Sequence, residues 1–177
     1  MGTLSRAMAV GLCAAAVGVG AAGAANAGPA AGPTVSQQDQ NFLSAAHQTN
    51  MAEIALSARA AAMSSCPAIR DLAPMLVRDH TRLDGMVTTV AARYGVMLPM
   101  MPDSDQMRTL MVTVPKMGRD FDINWLRAQE SGHLAALSAG NQEVATGQSA
   151  DVRILAEQAG PIVQGHLDAV RAALGTC

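Results

Sequence analysis

Four stretches of the chain repeat apolar residues at alternating steps of three and four, a spacing that commits them to amphipathic helices. The first stripe reads Phe42, Ala46, Asn50, Glu53, Ser57, Ala60. The second reads Ile69, Ala73, Leu76, His80, Leu83, Val87, Val90, Tyr94. The third reads Leu126, Gln129/Glu130, His133, Leu137, Gly140, Val144. The fourth reads Val152, Leu155, Ala159, Ile162, His166, Ala169/Val170, Ala173. Composition points the same way: half of the 177 residues are hydrophobic, yet Phe42, Tyr94, Phe121 and Trp125 are the whole aromatic content. Ala, Leu and Met favour helices, whereas sheets draw on branched and aromatic side chains.

Local signals bound these helices. Ser36 with Asp39 three residues on forms a capping box with Asp in the acceptor role, so the first helix is expected from about 36 to 63. Ser65 is the expected N-cap of the second, with Pro67 at its first helical position and Gly95 ending it. The third is expected over about 120–145, with Asp120, Phe121, Asp122 and Trp125 capping it and anchoring the connection before it. The fourth is expected over about 149–174, with a kink at Gly160-Pro161 one turn before His166. Residues 96–118 hold three prolines and a short helical stretch at 105–114. That connection is too long for a tight turn and long enough to cross a bundle. The expected fold is therefore all-α: a ferritin-like four-helix bundle with a long crossover between the second and third helices.

The first 27 residues read as a secretory signal. Arg6 supplies the positive start, residues 7–22 form a short, Gly-rich apolar run, and Ala25-Asn26-Ala27 sets cleavage between Ala27 and Gly28. Residues 28–35 read as a disordered linker and 36–177 as the bundle domain. Cys13 lies inside the apolar run behind Leu12, which argues against lipidation. Gly18, Gly20 and Gly23 match a nucleotide-loop pattern only by accident, since no strand precedes them. The expected location is the periplasm, cell wall or extracellular space, with no membrane span after cleavage. Cys66 and Cys177 are then the two remaining cysteines, and an oxidising compartment pairs them. That pairing needs the last helix to finish beside the first helix–helix turn, which the crossover topology provides. The formal net charge of −2 and the lack of a basic stripe exclude nucleic acid as a partner. Self-association is left open.

Each stripe carries one ionisable residue near its middle: Glu53, His80, His133 and His166. Burying such groups costs several kcal/mol unless they are hydrogen-bonded or bound to metal. Three imidazoles and a carboxylate suit zinc, copper or a single iron. Glu130, three residues before His133, is an extra candidate ligand. Val77 and Val163 stand three before His80 and His166, so the second Glu-x-x-His of a di-iron bundle is missing. The competing reading is a structural or protein-interaction module whose polar layer is hydrogen-bonded, with Asn50 and Glu53 serving the imidazoles and no metal. His47 is off the stripe and expected at a boundary. Six methionines (Met97, Met100, Met101, Met107, Met111, Met117) crowd the connection. They are expected to fill gaps there, the alternatives being Cu(I) ligation or a sink for oxidants. No hydrolytic triad is visible, so a non-enzymatic role is favoured.

An ordered set of short motifs completes the reading: Phe42-Leu43, Ala45-Ala46, Asn50, Glu53-Ile54, Arg78-Asp79-His80-Thr81, Gly95-Val96, Leu98-Pro99, Phe121-Asp122, Trp125-Leu126, His133, Pro161 and His166-Leu167. Over about 37–174 the chain resembles the bacterial exported family called domain of unknown function 4142. Trp125 departs from the Tyr expected there. The resemblance implies a ferritin-like bundle and no established activity. An outer-membrane role, sometimes attached to that family, has no support in the form of transmembrane β-strands.

Overall fold

A computed structural model describes residues 34–177. The expected export signal, its Ala27–Gly28 cleavage point and the linker up to residue 33 lie outside the described residues. Five helices make up the fold: α1 (Gln37–Met63), α2 (Pro67–Arg93), α3 (Ser104–Thr113), α4 (Gly118–Thr146) and α5 (Ala150–Leu174). There is no strand among the described residues.

The helix boundaries follow from local chemistry. Ser36 and Asp39 form the capping box of α1 in both directions, Ser36 N–H donating to Asp39 Oδ2 at 2.7 Å. Asp103 and Gln106 form a second capping box on α3. At the end of α2, Gly95 takes the left-handed conformation (φ 64°), and Val96 N–H and Gly95 N–H return to Ala91 O and Ala92 O. This double closure satisfies the last carbonyls in the Schellman manner. Pro67 is the first residue of α2, but Cys66, not Ser65, is the N-cap position. Ser65 Oγ donates to Asp122 instead.

Asp122 therefore does something the sequence did not suggest. It does not cap α4, which begins four residues earlier at Gly118. Its buried carboxylate accepts from Ser64 Oγ (2.6 Å), Ser65 Oγ and Cys66 N–H (3.1 Å), bracing the α1–α2 turn. The start of α4 thus sits at that turn. Cys66 is disulfide-bonded to Cys177, which brings the chain's last residue to the same end. At the opposite end, Arg93 and Tyr94 donate to Asp151 Oδ2, joining the close of α2 to the start of α5.

The helical bundle pairs α1 with α2 and α4 with α5, and the pairs meet along α1–α4 and α2–α5, with α3 against α1 and α4. Two apolar clusters fill it. One surrounds Ile69, Leu76, Phe121, Trp125 and Val170 at the disulfide end; the other joins Leu43, Val87, Ala91, Val152 and Leu155. Trp125 is fully buried and its indole N–H donates to Leu56 O (3.1 Å). The polar layer lies between these clusters. Burying aliphatic side chains on both sides excludes water and fixes the helix register on which the layer depends.

Two stripes are shifted from their sequence reading. On α1, Leu43 and Leu56 are buried while Phe42 and Ala46 are half-buried. On α4, Glu143 is buried and Val144 is exposed.

Candidate metal centre

His80 from α2, His133 from α4 and His166 from α5 converge in the interior, all at most 2% exposed. Their ring centroids are 5.2–5.4 Å apart. One ring nitrogen from each lies within 4.8 Å of the other two. His133 Nε2 and His166 Nδ1 are 3.4 Å apart. Two ligands on one tetrahedral zinc-sized ion, with bonds of about 2.0–2.1 Å, stand roughly 3.3 Å apart.

The partners of the outer nitrogens favour one tautomer of each ring. His80 Nδ1–H donates to Asn50 Oδ1 (2.9 Å). His133 Nδ1–H donates to the Gln129 carbonyl (2.8 Å). His166 Nε2–H donates to Asp79 Oδ2 (3.2 Å). A carbonyl oxygen, an amide oxygen and a carboxylate can only accept, so each outer nitrogen carries the ring's proton. His80 Nε2, His133 Nε2 and His166 Nδ1 then present lone pairs. His80 Nε2 has no hydrogen-bond partner among the described residues. Three inward lone pairs, each ring oriented by an outer acceptor, form the arrangement that metal-binding histidines adopt.

Electrostatics keeps the rings in that ligand form. Burial, reinforced by the other two imidazoles, pushes His80 down to about 3. Burial lowers His133 to about 4 despite its bond to Gln129 O. His166 is lowered by burial too, with Asp79 opposing. All three are neutral at pH 7 and need lose no proton to bind an ion. Asp79 sits below its ordinary range: burial works against this, and the hydrogen bonds from His166 and Arg78 outweigh it.

The remaining expected ligands are placed differently. Glu53 is buried beside the layer, but its Oε1 is 4.0 Å from His133 Nδ1, the outer nitrogen. It flanks the centre and is not among the converging atoms. Burial raises it to about 7, the Gln129 amide opposing. Glu130 is turned away: its Oε1 accepts from Arg171 Nε (2.9 Å) on the α4–α5 surface. The residue four before His133, Gln129, faces inward in its place and is fully buried. His47 pairs with Asp84 (2.6 Å) at a boundary, apart from the layer. Five of the connection's six methionines do not fill gaps, whereas Met107 is half-buried. Met97 and Met100 are each 93% exposed, and Met101, Met111 and Met117 are exposed as well. Asp79 entered the sequence reading only within the Arg78-Asp79-His80-Thr81 motif and was not among the expected site residues. Its signal was adjacency to His80, which puts it on the edge of α2 that meets α5.

These features define an all-helical bundle with a buried three-histidine centre that could hold a metal. The family model described as "Domain of unknown function (DUF4142)" matches residues 24–173, and the chain belongs to that family. Comparison with curated proteins finds no match. Among solved structures, the chain is similar to one described as "Crystal structure of DUF305 fragment from Deinococcus radiodurans". The TM-score is 0.66 at 16% identity, covering 82% of this chain and 100% of that one. At that identity the likeness speaks to the fold.

Proposed function

We infer that this chain is an exported domain that holds one transition metal ion through His80, His133 and His166. The observation that carries the reading is the inward aim of three lone pairs whose rings are oriented by Asn50, the Gln129 carbonyl and Asp79. Neutral imidazoles without a carboxylate ligand favour zinc or copper over iron, whose mononuclear oxygenase sites use a carboxylate in the first shell. A three-histidine ion keeps a fourth position free, so it supplies Lewis acidity, or redox chemistry if copper.

The architecture we propose is a ferritin-like four-helix bundle of α1, α2, α4 and α5, with the α3 segment as its crossover. Asp122 at the α1–α2 turn and Asp151 at the end of α2 support it, because α4 must then start at the end opposite to where α2 stops. Export rests on the signal-like start and is consistent with the Cys66–Cys177 disulfide. Among the described residues no helix is long and apolar enough to cross a membrane.

The test is metal content after reconstitution with zinc or copper and exhaustive dialysis. The reading expects about one ion per chain, and at least about tenfold weaker retention of it in His80→Ala and in His133→Ala. A second reading, a metal-free structural layer, is favoured by the 3.4 Å His133–His166 contact. It requires one of the two rings to turn its proton inward, away from its outer acceptor. Absence of retained ion in the wild-type protein would select that reading.

A further inference from the structure

A cavity of about 450 Å³ runs along the seam between α1 and α4, under the start of α3. Its lining extends from Phe42 to Leu56 on α1 and from Ala128 to Asn141 on α4. At 1.5 Å per residue, each stretch is about 20 Å long. Gln38 meets Glu143 at one end of these helices and Ser64 meets Asp122 at the other, so α1 and α4 run antiparallel and both stretches border one groove. On α4 the groove is faced by Ala128, Gly132, Ala135, Ala136, Ala139 and Gly140, whose steps of three and four share one side of a helix. A Cβ built on Gly140 meets nothing within 4 Å, so no neighbouring side chain has closed over that side. The far wall is aliphatic and buried: Leu83 and Val87 from α2, Leu155 and Val163 from α5. Phe42, Ala46 and Leu137 stand on apolar stripes yet are only half-buried, because they border this open space. The charged groups at the α3 side are exposed and used locally, Asp103 capping α3 and Asp105 pairing with Arg108.

We propose that this groove binds one extended aliphatic chain, the hydrocarbon part of a lipid-like molecule, laid along the α1–α4 seam. Length and wall chemistry select the chain, since aliphatic surface facing water over 20 Å is covered best by another aliphatic surface. The volume lies in the range of small-molecule sites. It is too small for a partner helix, which at 10–12 Å diameter would fill roughly 1,500 Å³ or more over the same length. The head group stays in water, because a charge drawn between these walls would lose its hydration. Recognition therefore rests on the chain and not on the head. Glu53 and His80 border the groove but are 5% and 2% exposed, and the ligand needs no contact with either. The inference does not depend on metal occupancy.

The test is calorimetric titration of the purified protein, in chelator, with n-alkan-1-ols and n-alkanoates of six to twelve carbons, below their micelle concentrations. Binding should be saturable at one site and tighten about fourfold per added methylene in both series. Gly140→Leu and Ala136→Leu put a side chain into the groove and should each weaken binding of the twelve-carbon ligands at least about tenfold. Both variants are checked for wild-type helicity and unfolding cooperativity. Met111→Gln, on an exposed residue of α3 outside the groove, should leave binding unchanged. Absence of saturable binding in both series overturns the proposal, as does an affinity set by the head group and independent of chain length. So does wild-type affinity in a folded Gly140→Leu or Ala136→Leu variant, or loss of binding in Met111→Gln. The chain-length dependence of the wild-type protein decides the matter even where a leucine variant fails to fold. Metal content is measured on the same preparations, so a failed groove and a failed metal centre give separate readouts.

Discussion

His133 Nε2 and His166 Nδ1 face one another across 3.4 Å, while the other nitrogen of each ring meets an acceptor outside the pair, the Gln129 carbonyl and Asp79 Oδ2. With both ring protons on those outer acceptors, two lone pairs held this close repel unless a cation lies between them. The neighbouring apolar cluster includes Leu76 and Leu126, both fully buried. The fold thus maintains three buried imidazoles close enough together that they could hold a metal ion.

Asp79 orients His166 from outside the centre and touches no ligand atom facing inward. Asp79→Ala should fold normally and lower metal affinity by roughly 10–100-fold, the usual cost of losing such a partner. Competition against a chromophoric chelator measures it. Unchanged affinity would mean that the His166 tautomer does not depend on Asp79.

The second buried carboxyl site sets a pH dependence. Burial and the neighbouring Asp39 raise Glu143 to about 7, with Gln38 and Arg153 opposing. Asp39 is held at about 2: burial opposes this, and hydrogen bonds from Ser36 and the Ser149 backbone outweigh it. A raised folded-state value means that the contribution of protonated Glu143 is present below about 4.5 and lost as pH rises through about 7. Asp39 contributes in the opposite sense, losing its stabilisation only as pH falls toward 2. Glu143→Gln should therefore gain stability relative to wild type between pH 5 and pH 8. Urea unfolding at the two pH values reads the change. An equal difference at both would show that Glu143 titrates normally.

The same carboxyl group makes Gly147 restrictive. A Cβ there would sit 2.2 Å from Glu143 Oε1 and 2.6 Å from its carbonyl oxygen. Its φ of −60° is ordinary, so the restriction is steric and not conformational. Gly147→Ala should lower stability by about 1–3 kcal/mol, the usual cost of overpacking, as seen in the urea midpoint.

Reduction of the Cys66–Cys177 bond, or Cys177→Ser, should cost about 2–5 kcal/mol, given a separation of 111 residues along the chain. Thermal unfolding with and without reductant tests this. Trp125→Phe should cost about 1 kcal/mol through loss of the hydrogen bond to Leu56 O, beyond any repacking.

Much of this molecule was legible in its sequence. Helical spacing gave the four long helices, and the stripes put His80, His133 and His166 in one layer. The Ser36–Asp39 box and Gly95 marked boundaries that the structure keeps. What was not legible is rotational phase. On a 29-residue helix a small drift exchanges neighbours, so Glu143 is buried where Val144 was expected. The same ambiguity on one turn made Glu130 look like a ligand, whereas Gln129, four residues before His133, takes the inner side. Asp122 and Asp39 act on backbone far away along the chain, a relation that residue spacing does not encode.

The most direct test of the metal centre is X-ray absorption of the reconstituted protein. Three imidazole nitrogens at about 2.0–2.1 Å, falling to two in His133→Ala, is the predicted result. A shell dominated by sulfur, or one whose imidazole count is unchanged by His133→Ala, would contradict it by placing the ion elsewhere.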